Sequence, residues 1–345
     1  MNTNRPIPVV AYGLGPIGLR LAGRAARLGP AVKLVGAIDI DPARIGADLG
    51  ALLGTSELGV TVQPTLDVGP AEEDRGRGVI LHATGSRLTD VAPQLLAAVE
   101  LGWNVISTCE ELSFPTLTDA TIAKELDARA QANGVTVVGT GINPGFLMDT
   151  LPLILTTVCT DVTRVEVRRV VNTDHRRRPL QQKVGVGMKQ AEFESLAEQG
   201  KIGHVGLVQS AHLLAHRLGW DVLSYRDEIK PVITEHAVQT TLGPVPAGDV
   251  IGQQQWAEAT CADGRGIRFD LQMSYGAADN DEILITGTPN LHQRVEGGVN
   301  GDAGTEAVVT NLLPVISQAP PGLHDMADLT RIAWFGGTSH PNGNR

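Results

Sequence analysis

Apolar runs alternate with stretches of helical periodicity over the first 145 residues. Residues 7–12 form a short apolar run, followed by a glycine loop and then 17–28 at helical spacing. Further apolar runs at 33–38, 79–83, 104–108 and 134–138 read as strands. The stretches 88–101 and 117–133 read as helices. Strands alternating with helices predict a parallel sheet joined by right-handed crossovers. From about residue 151 the texture changes. Strands are expected at 162–172, 229–241, 253–260, 266–275 and 282–288, and helices at 191–198 and 206–217. This α+β pattern predicts one mostly antiparallel sheet, whose second face needs a cover, often a twin subunit. A last helix, 305–317, is expected to return to the first domain. The fold class is thus α/β: a Rossmann domain over 1–150, an α+β substrate-binding and dimerisation domain over 151–301, and a C-terminal helix and tail over 302–345.

Length agrees with this division, because 345 residues exceed what one core usually holds. Forty glycines predict many tight turns and close backbone approaches. The net charge of −10 argues against a nucleic-acid surface. No apolar stretch is long enough for a membrane helix, and the N-terminus shows no signal-peptide pattern, so a cytoplasmic protein is expected. Three widely spaced cysteines, Cys109, Cys159 and Cys261, read as reduced thiols and lack the spacing of zinc ligands; no metal is expected.

The glycine loop is Gly13-Leu14-Gly15-Pro16-Ile17-Gly18, placed between a strand and a helix. In that context Gly13 allows the tight turn, Gly15 lets backbone approach a pyrophosphate, and Gly18 lets helix and strand pack closely. Asp39 ends the second strand, 21 residues after Gly18, where an acid holds the ribose hydroxyls of NAD. Arg44 nearby softens the bias against NADP, so the cofactor reads as NAD or NADP with NAD ahead. The plain alternative is that Asp39 and Asp41 start a turn and cap the next helix. Two more strand ends face the same crevice: Ala83-Thr84-Gly85-Ser86, whose last three residues are otherwise an ordinary turn, and Ser107-Thr108-Cys109-Glu110-Glu111.

Paired acids after a buried strand are costly without a purpose. A partly buried glutamate can act as general acid or base. One of the two could instead cap the next segment; Glu110, nearer the strand end, is the catalytic candidate. The loop from Gly139 to Phe146 could press backbone on a flat ligand, with Asn143 bonding a nicotinamide carboxamide, or serve as a domain hinge. The run His175-Arg176-Arg177-Arg178 could line a substrate cleft or be a solvated loop.

Taken together, Gly13–Gly18, Cys109-Glu110-Glu111 with Phe114-Pro115, Gly141-Ile142-Asn143-Pro144-Gly145-Phe146 and Lys183-Val184-Gly185-Val186-Gly187 resemble the 2,4-diaminopentanoate dehydrogenase family, with its native amine dehydrogenases, over residues 9–314. The resemblance implies a homodimer that interconverts a primary amine with a ketone or aldehyde, using ammonia and NAD(P)H. It places the family's catalytic glutamate on Glu110, which positions and deprotonates ammonia. By rough correspondence it gives Phe146, Leu147, Met148, His175 and Thr305 as pocket lining. The chain lacks the His-His-x-x-Lys run of dihydrodipicolinate reductases, and Glu111 stands where related sugar oxidoreductases carry a lysine. Two other readings are an ammonia-independent imine or carbonyl reductase and a non-catalytic NAD-sensing protein. An arginine of 176–178 binding a carboxylate would mean an amino-acid-like substrate rather than a plain ketone or aldehyde.

Overall fold

A computed structural model describes residues 5–174 and 178–329. These residues fall into two compact units. One runs to Phe146 and resumes at Gly301; the other is Leu147–Asn300.

In chain order the first unit holds β1 (Ile7–Tyr12), α1 (Pro16–Arg27), β2 (Val32–Ile38), α2 (Leu49–Leu53), β3 (Val62–Gln63), β4 (Val79–His82), α3 (Leu88–Glu100), β5 (Asn104–Ser107), α4 (Pro115–Thr118), α5 (Ala120–Asn133) and β6 (Thr136–Gly139). The second holds α6 (Thr150–Thr156), β7 (Asp161–Asn172), α7 (Arg178–Lys183), α8 (Gln190–Glu198), α9 (Leu207–Leu218), β8 (Val222–Ile233), β9 (Val238–Thr240), β10 (Gly243–Val245), β11 (Val250–Cys261), β12 (Gly266–Ser274), β13 (Asn280–Thr288) and β14 (Leu291–Glu296). The first unit is completed by α10 (Gly301–Asn311), α11 (Leu313–Ile316) and β15 (Gly322–His324).

The first unit's sheet is parallel throughout, in the order β15-β6-β5-β4-β1-β2-β3. From β1 the chain moves outward to β2 and β3, then returns to build β4, β5 and β6 on the other side. The direction reverses between β1 and β4, and ligands of such sheets bind outside the carboxyl ends at that switch point. All four residues of β4, of β5 and of β6 are buried, which requires cover on both faces. Leu88, Val91, Leu95, Leu126 and Ala130 of α3 and α5 share one core with Val105 and Val137. Ala22 of α1 packs with Ala11, Ala37 and Leu49 in another. Glu306 of α10 pairs with Arg20 at 3.0 Å and Arg27 at 2.9 Å of α1.

The helix expected at 117–133 is broken at Asp119. Its carboxylate accepts from Thr121 N–H at 2.8 Å and Ile122 N–H at 3.0 Å, and so starts α5 afresh. Gly134, at φ +66°, ends that helix. The helix expected at 305–317 likewise divides, because Pro314 lacks the N–H that would continue it.

The second unit's sheet runs β14-β13-β7-β12-β11-β8. Every pairing is antiparallel except the central one, β7 with β12. Parallel neighbours need a long crossover, and the helices α7 to α9 with β8 to β11 supply it. The strand expected at 229–241 is two strands, separated where Thr234 Oγ1 donates to the carbonyl of His236 at 2.6 Å. Pro231 is tolerated in β8 because that strand is at the sheet edge. Phe269, Val167, Ile267 and Leu271 form the core beneath α9, with Leu214 and Ala215 facing them.

Candidate active site

The glycine loop between β1 and α1 is held by sterics. Gly13 has φ +86°. A Cβ on it would come within 2.6 Å of the Ala83 carbonyl oxygen and 2.8 Å of Thr84 Cγ2. A Cβ on Gly18 would lie 1.7 Å from the Gly13 oxygen. The protein itself therefore demands the first and third glycines. Gly15 differs: a Cβ there would meet nothing within 4 Å. That open space lies over the start of α1, where no side chain caps the helix and no acid occupies the first turn. Pro16 costs nothing at this position, since its missing N–H would have had no helical partner. The free N–H groups and helix dipole, starting at Ile17 and Gly18, suit a pyrophosphate, and the residues fit a dinucleotide.

At the end of β2, Asp39 is buried and heavily engaged. Its Oδ2 accepts from Leu14 N–H at 2.6 Å and from Arg44 at 3.0 Å, while Oδ1 accepts from Asp41 N–H at 2.8 Å. Burial raises the pKa of the carboxyl, but these backbone donors and the guanidinium outweigh it and hold it below the usual range. Asp39 thus clamps the glycine loop to β2. The next helix is capped by Asp48, which accepts from Gly50 N–H at 2.7 Å.

A buried hydrogen-bond chain joins the ends of β4 and β5. His82 Nδ1 lies 2.8 Å from Ser107 Oγ, and Ser107 Oγ accepts from Cys109 N–H at 3.1 Å. His82 Nε2 lies 2.8 Å from Gln94 Oε1 of α3, which also accepts from Thr84 Oγ1 at 2.6 Å. Because Gln94 Oε1 can only accept, the imidazole carries its proton on Nε2 and takes the Ser107 hydroxyl on Nδ1. Tyr12 packs edge-on against the ring at 5.4 Å. Burial at 1% exposure drives the His82 pKa down to about 4, against the opposing bond from Gln94. The unfolded chain takes up this proton near pH 6.5, the native protein only near 4. Stability from this group is therefore full above pH 6.5 and is lost as pH falls toward 4, by about 3 kcal/mol. Urea unfolding at pH 7 and pH 4 should show that much less pH dependence in His82→Gln than in the parent.

The two glutamates have separate places. Glu111 is buried; its Oε2 accepts from Leu88 N–H, the first amide of α3, at 2.7 Å, and its Oε1 meets Arg87 at 2.9 Å. Its own N–H donates to the carbonyl of Ser86 at 3.2 Å. Glu111 is thus the cap of α3 and the brace of the Thr84-Gly85-Ser86 turn. Arg87 is mostly exposed, so its ion pair contributes little; the buried amide matters more. Glu111→Ala should destabilise by about 1–3 kcal/mol, read as a lower urea midpoint. Glu110 is half-buried at the head of the turn Glu110–Ser113, directly after Cys109. The Cys109 side chain belongs to the apolar core, and burial pushes its thiol up to about 12. Only its backbone, with that of Thr108, is left at the strand end. Thr108 N–H itself donates to the His82 carbonyl at 2.9 Å.

After β6, Thr140 Oγ1 is buried without a hydrogen-bond partner among the described residues. The peptide Asn143–Pro144 is cis. Thr305 Oγ1 of α10 accepts from Ile142 N–H at 3.2 Å, so this residue pins the loop within the first unit. Phe146 is half-buried. Leu147 and Met148 are buried, and Met148 lies in the core of the second unit with Val165 and Phe269. His175 lies outside the described residues. The first unit also has a cleft of about 460 Å³ lined by Val10, Val35, Leu66, Val68 and Trp103 among others. None of the predicted site residues lines it. Among the described residues no group of three or more His, Cys, Asp or Glu side chains gathers as metal ligands would, and no helix is long and apolar enough to cross a membrane.

The sequence places Ser107 at a strand end of the crevice, but not its bond to His82, and it singles out neither His82 nor Gln94. A lone histidine closing an apolar run was the one available signal.

Residues 146–340 match the 2,4-diaminopentanoate dehydrogenase C-terminal domain. A 2,4-diaminopentanoate dehydrogenase of Acetoanaerobium sticklandii is 30% identical over 338 residues, spanning 94% of this chain and 93% of that protein. An amine dehydrogenase of Streptomyces virginiae is 26% identical, spanning 94% and 96%. Among solved structures, an amine dehydrogenase from Mycobacterium smegmatis superposes with a TM-score of 0.82 at 27% identity, covering 98% of this chain and all of that one. A levoglucosan dehydrogenase solved with NADH and levoglucosan shares the fold, with a TM-score of 0.53 at 13% identity over 95% and 94% of the chains. The chain belongs to the 2,4-diaminopentanoate dehydrogenase family of oxidoreductases.

Proposed function

We propose that this protein is an NAD(P)H-dependent amine dehydrogenase: a ketone or aldehyde, ammonium and reduced dinucleotide give a primary amine, water and oxidised dinucleotide, and the reverse reaction deaminates the amine. The observation that carries the reading is the division of labour in the acid pair. Glu111 caps α3 from a buried position, whereas Glu110 is half-buried and follows the carboxyl end of β5, the end of the parallel sheet at which such folds bind their ligands. The amine-acting relatives support the substrate class.

In this reading Gly13–Gly18, Asp39, Arg44, Thr84–Ser86, the Thr108–Cys109 backbone and Asn143 hold the dinucleotide. Bound there, its nicotinamide ring supplies the hydride, or accepts it in reverse. Glu110 takes a proton from ammonium and gives it to the carbonyl oxygen as the nitrogen attacks, forming the carbinolamine. It then takes a second proton from the carbinolamine nitrogen and gives it to the hydroxyl, which leaves as water. Its carboxylate then stands beside the cationic iminium carbon–nitrogen bond and stabilises it. Arg44, already paired with Asp39, lessens the repulsion a 2′-phosphate would meet; Asp39 keeps NAD ahead.

A homodimer is part of the proposal. One face of the second sheet carries half-buried Arg164, Glu166, Trp256 and Arg268, and Arg268 stacks 4.9 Å over the Trp256 ring. Such a row of aromatic and paired charged groups suits a twin face. A cytoplasmic setting is supported by the three free cysteines.

The test follows NADH and NADPH oxidation with a panel of ketones and aldehydes at alkaline pH, with and without excess ammonium. Ammonium-dependent oxidation supports the proposal. Oxidation indifferent to ammonium favours a carbonyl or preformed-imine reductase and overturns it.

A further inference from the structure

One buried polar group has no part in the chemistry described so far. His82 sits where three strand ends meet: it closes β4, touches Ser107 at the end of β5, and packs against Tyr12 at the end of β1. Its two nitrogens face different partners. Through Nδ1 it takes the Ser107 hydroxyl, whose oxygen holds Cys109 N–H, the peptide just before Glu110. Through Nε2–H it reaches Gln94 Oε1, which also takes the hydroxyl of Thr84, an exposed residue of the turn beside the glycine loop. A Cβ on Gly13 would lie 2.8 Å from Thr84 Cγ2, so Thr84 already abuts that loop. With the Gln94 oxygen accepting from both sides, Nε2–H is shared between Gln94 Oε1 and Thr84 Oγ1, 2.9 Å away, and Ser107 both donates and accepts. A network anchored on a buried imidazole in this way holds its members in one arrangement.

We propose that His82 is a positioning residue with two separable branches: the Nδ1 branch, through Ser107 and Cys109, sets the backbone from which Glu110 acts, and the Nε2 branch, through Gln94 and Thr84, sets the lip against which the dinucleotide lies. The inference rests on the proposed function, because it gives Glu110 and Thr84 the roles assigned there.

Two substitutions each keep one branch. In His82→Asn the amide oxygen falls near the place of Nδ1 and can still accept from Ser107, while the reach to Gln94 is lost. In His82→Gln the amide N–H falls near Nε2 and can still donate to Gln94, while the acceptor for Ser107 is lost. The measurements are the dissociation constant of NADH and NADPH by fluorescence titration, and kcat at saturating dinucleotide. His82→Asn should weaken dinucleotide binding about tenfold with kcat changed no more than about twofold. His82→Gln should do the reverse, lowering kcat about tenfold with affinity nearly kept. If neither variant folds, Ser107→Ala and Gln94→Leu repeat the split, the first in kcat and the second in affinity. Equal losses of both quantities in both variants, or a change in thermal stability alone, would overturn the proposal. Should the parent turn over no carbonyl with ammonium, the proposed function fails. The titration then decides alone, because it needs no substrate: unchanged dinucleotide affinity in His82→Asn overturns the positioning role.

Discussion

Glu110→Gln is expected to lower kcat by about 10²–10⁴-fold, the range general acid–base groups contribute, while the dinucleotide dissociation constant changes little. Glutamine keeps the size and the hydrogen-bonding reach but cannot accept the proton released as nitrogen attacks the carbonyl. It also removes the negative charge beside the iminium, where positive charge develops. Glu111→Gln is the control that separates chemistry from architecture. Its carbonyl can still accept from Leu88 N–H, now 2.7 Å from Oε2, so the start of α3 survives. Stopped-flow reduction with a saturating carbonyl and ammonium would read the difference directly. A Glu110→Gln enzyme with parental kcat would mean that the proton moves through another group.

The second large effect is expected in the glycine loop, where two substitutions that look alike should fail differently. Gly18→Ala places a methyl group 1.7 Å from the Gly13 oxygen, which no rotamer relieves because the clash is with backbone. Helix α1 must move away from the loop. Overpacking of this severity costs on the order of 3 kcal/mol, seen as a Tm lowered by roughly 5–10 °C. Gly15→Ala meets nothing within 4 Å, and the residue's φ of −61° is one any side chain adopts. The fold should be unharmed, with Tm within about a degree. Its methyl group instead fills the space through which a pyrophosphate reaches the helix N-terminus. Dinucleotide affinity should fall about tenfold or more. Thermal unfolding together with NADH titration separates the two variants. A Gly15→Ala protein that binds NADH as the parent does would remove the pyrophosphate from this loop.

Why these features differ in legibility follows from the range of the interactions. The glycine loop is readable because its constraint is local: the Gly13 oxygen and the Gly18 Cα lie within one turn, and no other residue fits. The buried strands β4, β5 and β6 are readable because two covered faces fill their middles with apolar residues, Val79-Ile80-Leu81, Val105-Ile106 and Val137-Val138, and leave polar groups to their ends. The acid pair is only half readable. That one glutamate caps a helix is a reasonable expectation from two adjacent acids, but the cap joins Glu111 to Leu88, 23 positions away. His82 is less legible still, since its partners Gln94 and Ser107 stand 12 and 25 positions away. The parallel pairing of β7 with β12 is a tertiary choice across about a hundred residues, and nothing in either strand's alternation distinguishes it from an antiparallel one. Short elements such as β3 and β15 hold two and three residues, too few for any period to show.

The most direct test of the central claim is the origin of the product nitrogen. The protein is incubated with NADH, a ketone it turns over and ¹⁵N-ammonium, and the product is identified by mass spectrometry while dinucleotide oxidation is followed in the same sample. The account predicts one labelled nitrogen in each molecule of primary amine, formed in step with the NADH consumed, and loss of both signals in Glu110→Gln. An alcohol in place of the amine, or NADH oxidation that continues unchanged without ammonium, would contradict it.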